Sequence, residues 1–566
     1  MYKKSKAKQT HVDSKEFRKK VSTTLFDMAS IVGSTMGPAG RAVLIERDDM
    51  PPLATKDGVT VVRSLGAADP IQNIIIDACK EISINTANEA GDGTTTAIVL
   101  GAAIVEYGQK FIEANPKYNP QKIINELKWA YDNVAVPYLR EIAIPADSET
   151  QLLNVALISS NNDHGVAEAA VKAVVGAGDD GHVLIVEGKK PGIEVETSDG
   201  YIVTTGLKEL KSIGPAFIND KANQEVSLSD GLLFLYNGSM SDLKALGFLQ
   251  SAIEGSGGHD GSPIVVVAHD FGDVVLEKCL NSSKGGAFVI PMRTPRSGLP
   301  NGAAMFLDDL AAYSSSIVYD PTNIEDIEYT GFGKFSKVTM NMYESFVQCS
   351  PDVDKVDLRV GELKAIYETA SELDKAHLRA AIAKLTCGIS TVKVGGSSDL
   401  EIRERKARVE DAVEAVKSAI SEGIVTGGCT MHLRLMKLLL DHPDHKQSWG
   451  ILEDALMRPI SRLLENCGEE PALILNKLCT NEGLENMGQL PHMVFDAYSH
   501  TFQDPVKHGI IEPTKVVRVS IGNALSVASL IMSLGGVVVG YRDAGLEAQL
   551  EMADHAFKNM LNSQEQ

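Results

Sequence analysis

Gly91-Asp92-Gly93-Thr94-Thr95-Thr96-Ala97 sets a carboxylate, two glycines and three hydroxyls in one short run. A nucleoside triphosphate needs such groups: an oxygen ligand for Mg²⁺, backbone that can approach phosphate, and donors for phosphate oxygens. An apolar, helix-like segment precedes the run (Ile71, Ile74, Ile75, Cys79, Ile82), and another follows it (Ala97, Ile98, Val99, Leu100, Ala103, Ile104). The spacing therefore predicts the threonines at a helix N-terminus, where free N–H groups and the helix dipole favour anions. A capped helix after a glycine turn would look the same, and the run alone does not decide between the two.

Four further segments could join a phosphate site. Thr35-Met36-Gly37-Pro38-Ala39-Gly40-Arg41 can wrap phosphate with backbone or serve as a plain turn. Lys56-Asp57-Gly58 offers a cation and a carboxylate beside a glycine, and is equally an Asp-Gly hairpin turn. Gly427-Gly428 follows a long helical stretch and could admit a flat ligand or merely cap the helix. Asp411 lies in Ala407-Arg-Val-Glu-Asp-Ala412. A carboxylate there can orient or deprotonate an attacking water, although a carboxylate in a charged helix is most simply a solvated surface group.

The bulk numbers exclude several classes. At about 100–200 residues per domain, 566 residues predict roughly three or four domains. Apolar content of 44% and charged content of 23% describe a globular chain with ample core, built from aliphatic residues because only 5% is aromatic. A net charge of −21 disfavours nucleic acid or anionic membrane as partners. Seven scattered cysteines without a CxxC pair argue for reduced thiols and against a disulfide framework or zinc site. No apolar run is expected to reach membrane-spanning length. The basic Met1–Lys6 segment lacks the apolar stretch of a secretory signal.

Along the chain, residues 15–140 read as mostly helical, with Phe17, Val21, Leu25, Met28 and Val32 at helical spacing. Short strands are expected at Arg41–Glu46 and at Thr60-Val61-Val62, and a helix at Pro120–Ile142. Between 200 and 388 strands alternate with helices, which predicts an α/β centre. The strands are clearest at Gly231–Tyr236 and Pro263–Ala268, and the helices at Asp242–Glu254 and Asp273–Leu280. From about 400 the chain is helical again, with a last strand at Val537–Tyr541. Gly176–Gly181 matches GxGxxG but precedes a strand, so it lacks dinucleotide-binding context. His442-Pro-Asp-His445 reads as a polar loop rather than a metal site, and no Walker-type GxxxxGK[ST] occurs.

Taken together, Thr35–Arg41, Lys56–Val59, Gly91–Ala97, Ile158–Asn161, Lys406–Ala412, Asn466-Cys-Gly-Glu-Glu-Pro471 and Pro513-Thr-Lys-Val516 resemble a group I chaperonin of the GroEL type, over nearly the whole chain. The resemblance implies a multi-domain α and α/β fold. A helical equatorial ATPase domain would span 1–141 and 422–566, a small intermediate hinge domain 142–198 and 389–421, and an α/β apical, substrate-binding domain 199–388. Gly200 and Gly388 stand at the family's hinge positions.

The resemblance further implies ATP and Mg²⁺ as cofactors, with Asp92 as the metal ligand. Thr35, Met36, Gly37, Pro38, Lys56, Gly58, Gly93, Thr94, Thr95 and Thr96 would surround the phosphates. Ser159, Asn161, Gly427, Gly428, Leu463, Asp496, Ile510 and Glu512 would complete the nucleotide site. Asp411 and Asp57 would be catalytic, Asp411 as a base arriving on domain closure. Phe217, Leu246, Leu249, Val275, Leu276 and Leu280 would bind non-native polypeptides, although packing of the apical core explains Val275 equally well. The implied partners are copies of the chain in a ring, heptameric by analogy, unfolded clients and a lid cochaperonin. Neither nucleic acid nor membrane is expected as a partner. The expected compartment is the cytoplasm, the host's if the chain is phage-encoded.

The chain departs from the family pattern in several places. Gly247 and Gln250 replace leucines of the first binding helix, and Ser212 and Ala216 replace aromatics. Glu512 replaces a ribose-binding aspartate, Asp496 an asparagine near the base, and Ser461 an inter-ring arginine, with Arg462 beside it. The Gly-Gly-Met tail is missing. The chain is similar to divergent members of the sort some large bacteriophages carry. The alternative expectation is a ring-forming holdase or scaffold without productive ATP cycling.

Overall fold

Local chemistry starts the helices. Asp69 accepts the Ile71 N–H just before Pro70, and Asn119 accepts the Gln121 N–H just before Pro120. The helices Pro70–Ala90 and Pro120–Ala130 therefore begin where a cap and a proline coincide. In the computed structural model, the described residues are 9–12, 14–47, 50–178, 181–188, 190–198, 200–221, 224–241, 247, 262–284, 288–296, 301–320, 331–386, 389–480 and 493–540. The chain forms two compact units, one of residues 1–167 and 407–566, the other of 168–406. The segments expected to form a middle domain are divided between them.

The first unit is helical. Its core packs Thr94–Ala114 against Thr514–Ser533, Pro70–Ala90 and Ser14–Gly33. Leu100, Ile104, Val517 and Ala524 are fully enclosed there. By length and mean hydropathy Thr514–Ser533 could cross a membrane, which corrects the expectation that no segment is long enough; here it is a core helix. Gln9–Val12 pairs antiparallel with Val537–Gly540, the expected last strand. The strand expected at Arg41–Glu46 forms as Val43–Arg47 and pairs antiparallel with Met50–Thr55.

Two further expectations for this unit are corrected. Thr60-Val61-Val62 is not a strand but the middle of the helix Gly58–Ser64. The Asp57 carboxylate accepts the N–H groups of Val59 and Thr60, both at 3.0 Å, and this cap overrides the β preference of the valines. The helix expected over Pro120–Ile142 is interrupted by a π turn, Tyr131–Ala135, before continuing as Val136–Ile142. The widening sits beside Pro137, which has no N–H to close an ordinary turn. There the Tyr131 hydroxyl donates to the Arg518 carbonyl at 2.8 Å. Nearby, Trp129 and Trp449 stack with ring centroids 5.8 Å apart, and the His442 ring lies 5.4 Å from Trp449. His445 Nε2 is 2.7 Å from Glu453 Oε1, so the two histidines serve local packing and pairing.

The second unit is α/β, as expected. Its larger sheet runs in the order Val289–Arg293, Ile264–Ala268, Val226–Tyr236, Gly333–Met340, Ser345–Cys349, Tyr201–Val203, with Val318–Tyr319 pairing Val226–Tyr236 off this path. Ile264–Ala268 is parallel to both its neighbours, and Gly333–Met340 is antiparallel to Val226–Tyr236. Ile264-Val-Val-Val-Ala268 is buried at every position, the pattern of a parallel strand covered on both faces. A smaller sheet sets Ile389–Gly395 between His182–Glu187 and Gly192–Ser198. The helix expected at Asp242–Glu254 lies outside the described residues except for Gly247, and Leu246, Leu249 and Gly388 fall outside them.

Candidate functional site

The Gly91–Ala97 run links two helices end to start. Gly91 (φ 73°) closes Pro70–Ala90, and Gly93 (φ 78°) opens Thr94–Ala114. Both angles are left-handed, and only glycine adopts them without strain. Both positions are also crowded. A Cβ on Gly91 would lie 2.0 Å from Glu414 Cβ, and one on Gly93 would lie 2.7 Å from Val516 Cγ1. The Ser418 hydroxyl donates to the Ala90 carbonyl at 3.0 Å. The loop is thus clasped by the helices Asp399–Glu422 and Thr514–Ser533. No side chain caps Thr94–Ala114, so its first-turn N–H groups are left for another acceptor.

The loop from Thr35 is held from two sides. The Thr35 hydroxyl donates to the Val32 carbonyl at 2.8 Å. Asn466 Nδ2 donates to the carbonyls of Gly33 and Met36, each at 2.9 Å. Asn466 belongs to the Asn466–Pro471 motif, whose physical task could not be read from sequence because its acceptors are backbone atoms more than four hundred residues earlier.

These elements enclose a cavity of about 580 Å³, within the size range of small-molecule sites. Every residue expected to bind nucleotide lines it: Thr35, Met36, Gly37 and Pro38 from the first loop; Lys56, Asp57 and Gly58; Asp92 to Thr96; Ser159 and Asn161; Gly427 and Gly428; Leu463, Asp496, Ile510 and Glu512. Asp411 lines it too. Asp57 does more than expected, since its carboxylate is the cap of Gly58–Ser64 as well as part of the wall. Sequence reasoning missed Asn162, Glu410 and Tyr498 in this lining. For Asn162 a signal existed: Asn161 and Asn162 have φ of 55° and 65°, and asparagine is the side-chain-bearing residue most at ease where a helix ends left-handed.

The electrostatics of the wall are unbalanced. Burial holds the Asp411 carboxyl well above the usual carboxylate range, and the charges of Asp92, Asp57 and Glu410 push it further. Burial also raises Asp92, against the pull of the Gly93 N–H. Glu512 is pushed up to about 8 by burial and by Asp92. Its Oε2 is enclosed without a hydrogen-bond partner, as are the hydroxyls of Thr426 and Thr430. Such groups cost free energy unless something pairs with them.

The wall fits a nucleotide. Glycine leaves room where phosphate must approach: a Cβ on Gly58 would lie 2.3 Å from Thr95 Oγ1. Donors, an uncapped helix start and a carboxylate converge on one space. Among the described residues no group of three His, Cys, Asp or Glu side chains could hold a metal alone. Mg²⁺ would therefore share Asp92 with phosphate oxygens, its common mode.

In the second unit the described residues expected to contact clients lie in or against the core. Phe217, Val275 and Leu276 are 4%, 1% and 2% exposed and belong to its hydrophobic core, with Leu280 packed against them. On the Asp273–Lys284 helix the exposed apolar residue is Val274. The helical repeat separates the two valines, since Val274 shares its stripe with Glu277 and Lys278 and Val275 shares its own with Cys279.

The model of the TCP-1/cpn60 chaperonin family matches residues 28–211 and 336–541. Among solved structures, the chaperonin gp146 from bacteriophage EL 2 (Pseudomonas aeruginosa), in the presence of ATP-BeFx, has a similar fold in two crystal forms. Form I superposes with a TM-score of 0.67 at 21% identity, covering 94% of this chain and 99% of that one. Form II gives 0.66 at 20% identity with the same coverage. The fold is GroEL-like.

Proposed function

This chain belongs to the TCP-1/cpn60 chaperonin family, and from that premise we propose that it binds and hydrolyses ATP and uses the cycle to capture and fold non-native polypeptides in a ring of its own copies. The observation that carries the reading is Asp411 in the wall of one cavity with Asp92, Asp57 and the uncapped start of Thr94–Ala114. The first-turn N–H groups and the hydroxyls of Thr94, Thr95 and Thr96 bind phosphate oxygens. Asp92 would hold Mg²⁺, which would supply positive charge against the phosphates. Asp57 orients water, and Asp411 takes its proton. The raised affinity of Asp411 for a proton suits it to that task. A base on a long helix that also clasps the phosphate loop ties hydrolysis to movement of that helix.

The division into equatorial, intermediate and apical parts, the ring and a lid partner belong to the same proposal. A reducing compartment, the cytoplasm, agrees with Cys79, Cys279, Cys349, Cys429 and Cys467 all being free. The deciding experiment refolds a denatured client with ATP, with ADP and without nucleotide. Recovery that requires ATP is expected. Client binding without ATP-dependent recovery would establish the ring-forming holdase instead.

A further inference from the structure

The cavity carries an aromatic that the nucleotide reading leaves unused. Tyr498 lines its wall, yet its side chain is 61% exposed. It sits in the connection between the antiparallel strands Val494–Asp496 and Thr501–Gln503. The turn that carries it is held by hydrogen bonds. Asp496 Oδ1 accepts the Tyr498 N–H at 2.9 Å, and Oδ2 accepts the Ser499 hydroxyl at 2.6 Å. Ser499 in turn meets Thr501 Oγ1 at 2.7 Å and Gln503 Nε2 at 2.9 Å. His500, strained at φ 55°, pairs through Nδ1 with Glu469 Oε1 at 2.7 Å and sets its ring edge-on to Phe495. The backbone under Tyr498 is therefore fixed from both sides while the ring itself stands free.

Gly428 and Ile510 line the same cavity. Gly428 is left-handed at φ 61°, and a Cβ built on it would lie in van der Waals contact with Ile510 Cγ2 and the Phe495 carbonyl, each at 3.7 Å, so this part of the wall brings bare backbone and an aliphatic side chain together. A cavity lined by an aliphatic side chain, bare backbone and a partly exposed aromatic on a hydrogen-bonded turn suits a heteroaromatic base. Stacking needs only a π face, and a tyrosine gives up little rotamer freedom to supply one.

We propose that Tyr498 is a specificity-determining residue that stacks on the purine base of the bound nucleotide, and that Asp496 acts as its positioning residue by building the turn that presents it. This rests on the nucleotide reading above. It also gives Asp496 a second task, since each of its carboxylate oxygens accepts a bond within the turn.

The test is calorimetric binding of ADP, CDP and inorganic pyrophosphate to the full-length chain, to Tyr498→Ala, Tyr498→Phe and Asp496→Ala, and to the double variant. Tyr498→Ala should weaken ADP about tenfold, the low end of base–aromatic stacking because the ring is partly exposed. It should narrow the preference for ADP over CDP and leave pyrophosphate affinity unchanged, which also shows that the cavity remains folded. Tyr498→Phe should bind ADP like the wild type. Asp496→Ala should lose about as much as Tyr498→Ala, and the double variant no more. Wild-type ADP affinity in Tyr498→Ala, or an equal loss for pyrophosphate, overturns the stacking role while leaving the nucleotide reading standing. A wild-type chain that binds neither ADP nor pyrophosphate overturns both.

Discussion

Each unit holds a cluster built around an enclosed aspartate, and the clusters are built in opposite ways. In the second unit Asp309 receives the Arg359 guanidinium at 2.8 Å, and Arg359 also reaches Glu362 at 2.8 Å and the Met305 carbonyl at 3.3 Å. Burial still lifts Asp309 to about 6, but the next causes, the bond to Arg359 and its charge, pull it down. In the first unit burial again comes first for Asp411, but the next causes are Asp92, Asp57 and Glu410, and all push the same way. A buried charge with its counterion built in is finished as structure. A group of carboxyls that repel one another is complete only when something cationic arrives, and that unfinished balance distinguishes a site from a strut.

The largest effect should come from Asp411→Ala. Loss of a positioned base typically costs about 10²–10⁴-fold in rate. Steady-state turnover should fall by that much while ATP affinity stays near wild type, and equal loss of both would place Asp411 among the binding groups instead. Next comes Arg359→Met. It strands Asp309, and removing one partner of a buried pair costs about 3–5 kcal/mol. Denaturant titration should show the second unit melting early. If Arg359→Met proves neutral, the Asp309 pair is not the strut described above.

A pH experiment sharpens the other side. Glu512 is raised from an ordinary 4.5 to about 8 in the folded chain. Its contribution to stability is therefore fully present below 4.5 and is lost as the pH climbs towards 8. Nucleotide-free wild type should lose more Tm between pH 5 and 8 than Glu512→Gln does, and identical slopes would mean the Glu512 carboxyl is well solvated. The smallest effect is expected from Asn466→Ala, which frees the carbonyls of Gly33 and Met36 at a cost of about 1 kcal/mol per lost bond. Its signature is a modest loss of nucleotide affinity with turnover at saturation unchanged.

The site was more legible in the sequence than the second unit's surface was, for a physical reason. Phosphate binding demands backbone conformations that few residues permit, so Gly91, Gly93 and the threonines after them declare themselves locally. Asp57 also declared itself, although its cap to Val59 and Thr60 turned an expected strand into a helix. Apolar contact makes no comparable demand. On the Asp273–Lys284 helix the repeat marks Val275, Leu276 and Cys279 as an apolar stripe, but a repeat does not say whether such a stripe meets the unit's own core or a partner; here it meets the core. The roles of Asn466 and Tyr498 were hidden for a related reason. Each depends on partners brought close by the fold, and neither residue type carries a mark of its own.

The stacked Trp129 and Trp449 are the chain's two tryptophans, and both belong to the first unit. Indole emission is therefore a one-sided witness. It follows the melting of the helical unit and stays silent about residues 168–406. An Arg359→Met chain would keep its fluorescence transition while its ellipticity fell earlier, and the gap between the two curves would measure how independently the second unit comes apart.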